Sequence, residues 1–559
     1  MHGRDCRQSS LVGAFTLLMV LIVACAPAAG PAAPTAAPKA ETKPGQQQPV
    51  PTQAAAAQPA AAQPTPLAQP KPTGPEPRRG GSLRMGISSD WKTLDPPLYT
   101  NVSERMIFYS IYNPLVAMDE NLNIVPELAR SWQVSPDGLV WTFVLARDVK
   151  FHDGTPFNAQ AVKFNLDRLM NPETGSALRQ QLADIKETQV VDELTVKVVL
   201  GKPFTPLLAW LSEGPGFMSS PAAVQKWGKD YGQHPIGTGP FEFAEWVKGD
   251  HITLRRFKDY WEPGLPYVDE IVYRPIPDES VKLSGLRAGA LELIDEVPPR
   301  ELSNLRSATD IKLYELPGTR WPMVRLNTAQ APLDNKAVRQ ALSLAIDRDA
   351  IVKAVYFGNA QPAYGPISPV YKAVYDPSIE QWGLKRDLAK AKQKLAEGGQ
   401  PNGFSASLDI AGTPEQTRLA ELMKAELAEI GVTVEINALE TTALVDRMTN
   451  RNFVTALGSW TPRPDPDGTL YGHFHSTGNV NHVSYRSQKV DELLDRTRQL
   501  APGEERIKAF REAQTLIVDD APWIFLVFET KGIATLKSVE GLPIVPDTMI
   551  RLKTVWMNK

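Results

Sequence analysis

Apolar and polar positions recur along this chain with two different periods. Leu194–Leu200 (LTVKVVL), Phe404–Ile410 (FSASLDI) and Val432–Ile436 (VTVEI) are rich in β-branched residues and predict strands. In VRQALSLAI, Val338, Ala341, Leu342, Ala345 and Ile346 return at helical spacing and predict one buried face. The clearest helix follows Thr413. That residue suits the N-cap, Pro414 suits the first helical position, and Gly431 ends the run. Strand, helix and strand in this order predict an α/β unit. Phe453–Trp460 (FVTALGSW) reads as another buried strand, ending at Trp460.

The first 80 residues follow neither period. Leu11–Ala24 is an unbroken apolar run behind a partly basic head of His2, Arg4 and Arg7. It is shorter than the roughly 20 residues a bilayer span needs, so it predicts a secretory leader over 1–24. From Ala26 to Gly80 the chain is mostly Ala, Pro, Gln, Thr and Lys, with fourteen of its 49 prolines. Such a segment cannot bury enough apolar surface to offset ordering its backbone, which predicts a disordered tether over 25–80. Proline keeps a tether of this kind extended, at about 3 Å per residue. The junction LIVAC resembles the lipobox of bacterial lipoproteins. That resemblance implies a diacylglycerol on Cys25, which becomes the first mature residue and anchors the protein outside the cytoplasm. Either the periplasm or the outer face of the cell membrane fits.

Charge and cysteine content narrow the function. With 60 basic and 63 acidic side chains, net -3, nothing points to a nucleic-acid partner. The only cysteines are Cys6 and Cys25, so the body has no thiolate zinc site, iron–sulfur cluster or internal disulfide.

Candidate chemistry gathers in GSWTPRPDPDGTLYGHFHS (Gly458–Ser476). Its three prolines lack N–H groups and fix φ, which predicts a stiff loop and no helix. The loop starts beyond a strand's carboxyl end, where open α/β sheets bind ligands. The same argument selects Ala411–Gln416, with Gly412 and Thr413 at a helix N-terminus suited to an anion. Three chemistries compete. Asp465 and Asp467, or the His152–Asp153 pair, suggest a hydrolase. Yet two aspartates separated only by Pro466 cannot flank a scissile bond in the manner of glycosidase carboxylates roughly 5–9 Å apart, and no nucleophile motif accompanies them. His473 and His475 share one side if the segment is extended, with His482 close behind, and suggest a metal site. The remaining reading is a clamp that only holds a solute.

Four stretches carry a family resemblance: Glu127–Phe164, His234–Trp246, Phe257–Glu279 and Asn335–Ala363. In that order they resemble the peptide/nickel/opine class, family 5, of bacterial extracellular solute-binding proteins, and the match covers essentially all of Gly81–Lys559. The resemblance implies an α/β, two-lobed fold of the periplasmic-binding-protein type II, large peptide-binding class. Lobe I is expected over 81–318 with an extra subdomain near 112–233, lobe II over 319–529, and a return to lobe I over 530–559. It further implies no catalysis, no cofactor, a monomer, and separate permease and ATPase subunits of an ABC importer. Nickel or a metal chelate is an alternative ligand. Dipeptide carriers of the family place an aspartate three residues after the tryptophan corresponding to Trp460, where this chain has Arg463. The change points away from a peptide amino group and toward an anionic group on the ligand. The expected lining is therefore Trp460, Arg463, Asp465, Tyr471, Trp321, Tyr364, Gly412 and Thr413, with Tyr99 and Thr100 from lobe I.

Overall fold

The computed structural model describes residues 76–558. The leader, Cys25 and the tether through residue 75 lie outside them. Among the described residues no helix is long and apolar enough to cross a membrane.

Twelve strands form the main sheet. Ten follow one path: Thr433–Leu439, Ser405–Ala411, Thr455–Trp460, Ile311–Leu326, Val527–Leu536, Leu293–Ile294, Ser82–Ile87, Glu270–Pro275, His251–Arg256 and Phe241–Val247. Two of these strands carry the chain across the middle. Residues 311–320 of Ile311–Leu326 pair with Val527–Leu536, whereas residues 321–326 pair with Thr455–Trp460. The register slips between Pro317 and Arg320, and Gly318 between them has φ +74°. A left-handed residue at this kink suits glycine, which has no Cβ to clash. Each side of the crossing has its own core. One gathers around Leu83, Met85, Phe108, Tyr112 and Tyr273, the other around Leu326, Val338, Leu342, Ile410 and Leu457.

The strands predicted from β-branched runs are present as Thr195–Leu200, Ser405–Ala411 and Thr433–Leu439. Helix Pro414–Ala428 starts at Thr413, whose hydroxyl accepts the Gln416 N–H at 3.2 Å. Gly431, at φ +84°, turns the chain into the next strand. In helix Lys336–Ala345 the apolar face is buried as its spacing predicts; Ile346 is buried too, but just past the helix end in extended conformation.

A separate four-stranded antiparallel sheet, ordered Ala129–Val134, Val140–Leu145, Thr195–Leu200, Ile185–Asp192, packs on a third core that includes Phe143, Phe151 and Leu166. His152 fastens this region to the main sheet. Its Nδ1 accepts the Gly237 N–H at 3.4 Å, and its Nε2 donates to the Gly239 carbonyl at 3.0 Å. Burial holds its pKa at about 4, so the imidazole is neutral near pH 7. Gly237 and Gly239 press on the carbonyl end of Ile111, where an added Cβ would sit 2.2 to 2.4 Å from backbone atoms. The His152–Asp153 pair is thus a brace. Asp153 is engaged as well, by Thr155 and by the Ser220 hydroxyl at 2.5 Å.

Candidate ligand cleft

A cavity of about 770 Å³ opens where the two sides of the sheet face each other. One wall comes from Ser88, Tyr99–Ser103, Arg105 and Glu279; the other from Thr413–Gln416, Arg418, Trp460 and Arg463. Arg320 and Lys531, on the crossing strands, also line it. Loops at strand ends thus meet across the crossing, the usual position of ligands in open α/β sheets.

Five of the expected residues line this cavity: Tyr99, Thr100, Thr413, Trp460 and Arg463. The other five do not. Trp321 is 1% exposed and packs edge-on against Phe528 in the core. Side chains alternate across a strand, so its neighbour Arg320 takes the cleft-facing position. Tyr364 lies under the guanidinium of Arg348 at 4.9 Å. Gly412 serves the turn, donating its N–H to the Leu439 carbonyl at 3.0 Å. Asp465 is held by both ends of the Arg506 guanidinium at 2.7 and 2.8 Å. Tyr471 borders a small separate cavity, covered by Arg498 at 3.2 Å and stacked on His475.

The predicted stiff loop is half helix. Asp467–Phe474 is helical, because all three prolines precede it and Pro466, at φ -54°, is compatible with a helix start. This overturns the shared face of His473 and His475, which required extended chain. His473 lies inside the helix, buried between Trp460 and Trp523, with Nδ1 near the Val480 carbonyl at 3.1 Å. Burial, then the nearby Arg325 and His482, hold its pKa well below the usual range. His475 lies beyond the helix end, its Nδ1 accepting from Thr477. Among the described residues no group of three or more His, Cys, Asp or Glu is placed to hold a metal ion.

Two charge networks shape the cavity, and most of their members were missed in the sequence. At the first, Arg320 lies 3.1 Å from Glu296, 3.5 Å from Glu415 and 3.6 Å from Glu529, while the Tyr356 hydroxyl donates to Glu415. Burial raises Glu279 to about 7, with Glu296 and Glu415 adding to the effect against Arg320. Burial would also raise Glu296, but Arg320, Lys531 and Lys282 outweigh it and hold that carboxyl at about 2. At the second network, buried Glu213 receives Arg105, and Arg463 approaches the same carboxylate oxygen from the opposite wall at 3.7 Å. Arg463 also covers the Trp460 ring at 4.9 Å. Its partner is thus neither Asp465 nor Asp467; the latter is bound by Arg498 at 2.7 and 3.0 Å.

The walls touch a second time where Thr205 bonds the carbonyls of Arg498 and Leu500 at 2.8 and 2.6 Å. The carboxylates and imidazole considered for hydrolysis (Asp465, Asp467 and His152) are all engaged in such braces. What remains facing the cavity is an array of charged, hydroxyl and aromatic groups suited to holding a polar solute.

Comparison with known proteins agrees with that geometry. Residues 123–481 match the model of "Bacterial extracellular solute-binding proteins, family 5 Middle". Glutathione-binding protein GsiB of Salmonella typhimurium is 32% identical over 477 residues, covering 83% of this chain and 92% of that protein. The periplasmic binding protein DppA of Helicobacter pylori, solved with the peptide STSA, superposes with TM-score 0.79 at 28% identity. That match covers 86% of this chain and 99% of DppA. The binding protein AgaA of A. tumefaciens R10, solved with agropinic acid, gives 0.78 at 27% identity over 86% and 99% of the two chains. The chain is therefore a member of family 5 of the bacterial extracellular solute-binding proteins.

Proposed function

We propose that this protein captures a small organic solute, peptide-like, opine-like or other, between two lobes and delivers it unaltered to the permease of an ATP-driven importer. The carrying observation is the cavity of about 770 Å³, lined from both sides of the strand crossing. Relatives named for glutathione, a peptide and agropinic acid support a small organic solute. In this reading residues 81–318 and 530–559 form lobe I, with the subdomain near 112–233, and 319–529 form lobe II. The crossings at Pro317–Arg320 and near Val527–Thr530 act as the hinge. Rigid lobes on two connecting strands close around a ligand with little internal change. The protein works as a monomer that contacts the permease directly.

The test combines recovery and shape. Mass spectrometry of solute released from the purified full chain should find it chemically intact after incubation. Adding that solute to stripped protein should lower the radius of gyration seen by small-angle scattering. Recovery of a cleaved product would favour a hydrolase, and an unchanged radius with a tightly bound solute would refute closure.

The lipid anchor is a second element of the proposal, supported by LIVAC and the proline-rich stretch behind it. Cys25→Ser is expected to abolish acyl labelling and leader cleavage by lipoprotein signal peptidase. Acyl label persisting on the variant would remove Cys25 from this role.

A further inference from the structure

We infer that Thr205 latches the two walls together by capping, from across the cleft, the C-terminal end of helix Gln488–Gln499, and that this holds a share of the ligand-free protein closed. The inference rests on the two-lobe closure reading and adds a residue that tunes closure without touching the solute.

A helix leaves its last few carbonyls without partners inside the helix. At the end of Gln488–Gln499 the partners come from two sources. Arg506, on the same wall, donates its Nε to the Thr497 carbonyl at 2.7 Å. The Arg498 and Leu500 carbonyls are met from the opposite wall. Thr205 donates its backbone N–H to the first at 2.8 Å and its hydroxyl to the second at 2.6 Å. One residue of the subdomain thus satisfies two acceptors at the end of a lobe II helix.

The side chains around these bonds fit the same role. Arg498 is fixed within its own wall by two hydrogen bonds to Asp467 and by the Tyr471 ring, and its guanidinium lies 5.2 Å from the ring of Phe204, beside Thr205. Trp210, in the short helix Leu207–Leu211, reaches lobe II as well. A Cβ added to Gly468 would lie 3.4 Å from its indole. The gap left between Trp210, Gln181, Gly468 and Arg498 is a cavity of about 30 Å³, enough for about one or two water molecules.

None of Phe204, Thr205, Arg498 and Leu500 lines the ligand cavity, so this contact forms without any help from a solute. Opening the cleft exchanges its two hydrogen bonds for bonds to water, and the net change per bond is small. A small bias suits the purpose. A strong latch would shut solute out, whereas a weak one raises the closed fraction and leaves the ligand less closing work to do. Affinity is then set in part by a residue that the ligand never meets.

Hydrogen exchange on the ligand-free full chain tests the latch, read at the amide of residue 205 and corrected for intrinsic rates. Small-angle scattering and urea unfolding are measured on the same samples. A bonded amide exchanges when its bond opens, so the rate follows the open population. Thr205→Val keeps the shape and the N–H but deletes the hydroxyl, and Thr205→Ser keeps the hydroxyl. Thr205→Val should exchange about three- to tenfold faster than the parent, as expected for one lost hydrogen bond. It should also show a larger radius of gyration. Thr205→Ser should match the parent in both. All three should share one unfolding midpoint, because the open form hydrates the freed groups. An unprotected amide in the parent overturns the latch. Faster exchange in Thr205→Val with the parent's radius, or with a lowered midpoint, overturns it too and makes Thr205 a local brace. No ligand enters these measurements, so a failed latch leaves solute capture standing; that reading falls to a cleaved product or to an unchanged radius with solute bound.

Discussion

Lys282→Met should cost about 3–5 kcal/mol of stability, the usual penalty for removing one partner of a buried ion pair. Lys282 is fully buried in helix Glu279–Arg287 and donates to Asp295 at 2.6 Å and to the Ser88 hydroxyl at 2.5 Å. Asp295 also accepts the Ser88 N–H at 2.9 Å, so the trio joins the end of strand Ser82–Ile87 to the helix beneath the cleft. Methionine keeps most of the stem that packs near Gly86, so the loss is electrostatic, with Asp295 left buried and uncompensated. The double variant Lys282→Met/Asp295→Asn should recover most of the loss, because the amide oxygen still accepts from Ser88 and no lone charge remains. Urea unfolding of the three proteins measures this. A single variant with the parent's midpoint would show that the ion pair contributes nothing to stability.

Much of the fold is legible in the sequence because its signals are local. A β-branched run, a Thr-Pro helix start and a glycine beyond a helix each depend on a few adjacent residues, and all three appear where expected. The error at Gly458–Ser476 is also local in origin. Proline forbids the interior of a helix but not the residues leading into its first turn. Three prolines in five residues predict loop throughout, whereas all of them lie on the approach to Asp467–Phe474.

The site was less legible because its charges are set by contacts between distant segments. Glu213, Arg105 and Arg463 are separated by hundreds of residues in part, and no periodicity connects them. Arg320 could have been found, since alternation places it opposite Trp321 on the same strand. Its three carboxylates could not, because Glu296, Glu415 and Glu529 come from three different elements. Arg418 lies in the first turns of Pro414–Ala428 and also lines the cavity. The expected anion site at that helix N-terminus is also altered by its own sequence. Glu415 places a carboxylate there, facing Arg320, and Thr413 occupies a free N–H.

Glu279 and Glu296 should give opposite pH dependences from adjacent positions in the cleft. Glu279 is raised to about 7 from the usual 4.5, first by burial and then by Glu296. A raised carboxyl favours the folded state fully below pH 4.5, and that contribution is lost as pH rises toward 7. Glu279→Gln removes this titration, so the variant should gain on the parent between pH 4.5 and 7, by at most about 3 kcal/mol at 1.36 kcal/mol per unit. Glu296 is held at about 2 because Arg320, Lys531 and Lys282 overcome its burial. Its contribution is present above pH 4.5 and is lost as pH falls toward 2. Glu296→Gln should therefore be less stable than the parent near neutrality, and the difference should shrink on acidification. Chemical unfolding of parent and variants from pH 3 to 8 reads both slopes, and subtracting parent from variant cancels the titration of His152, His473 and His482. A stability difference for Glu279→Gln that stays flat across pH 4.5–7 would mean that this carboxylate ionises normally. The cleft near Arg320 would then carry more negative charge at neutral pH than its burial implies, and a ligand cation would be drawn to it.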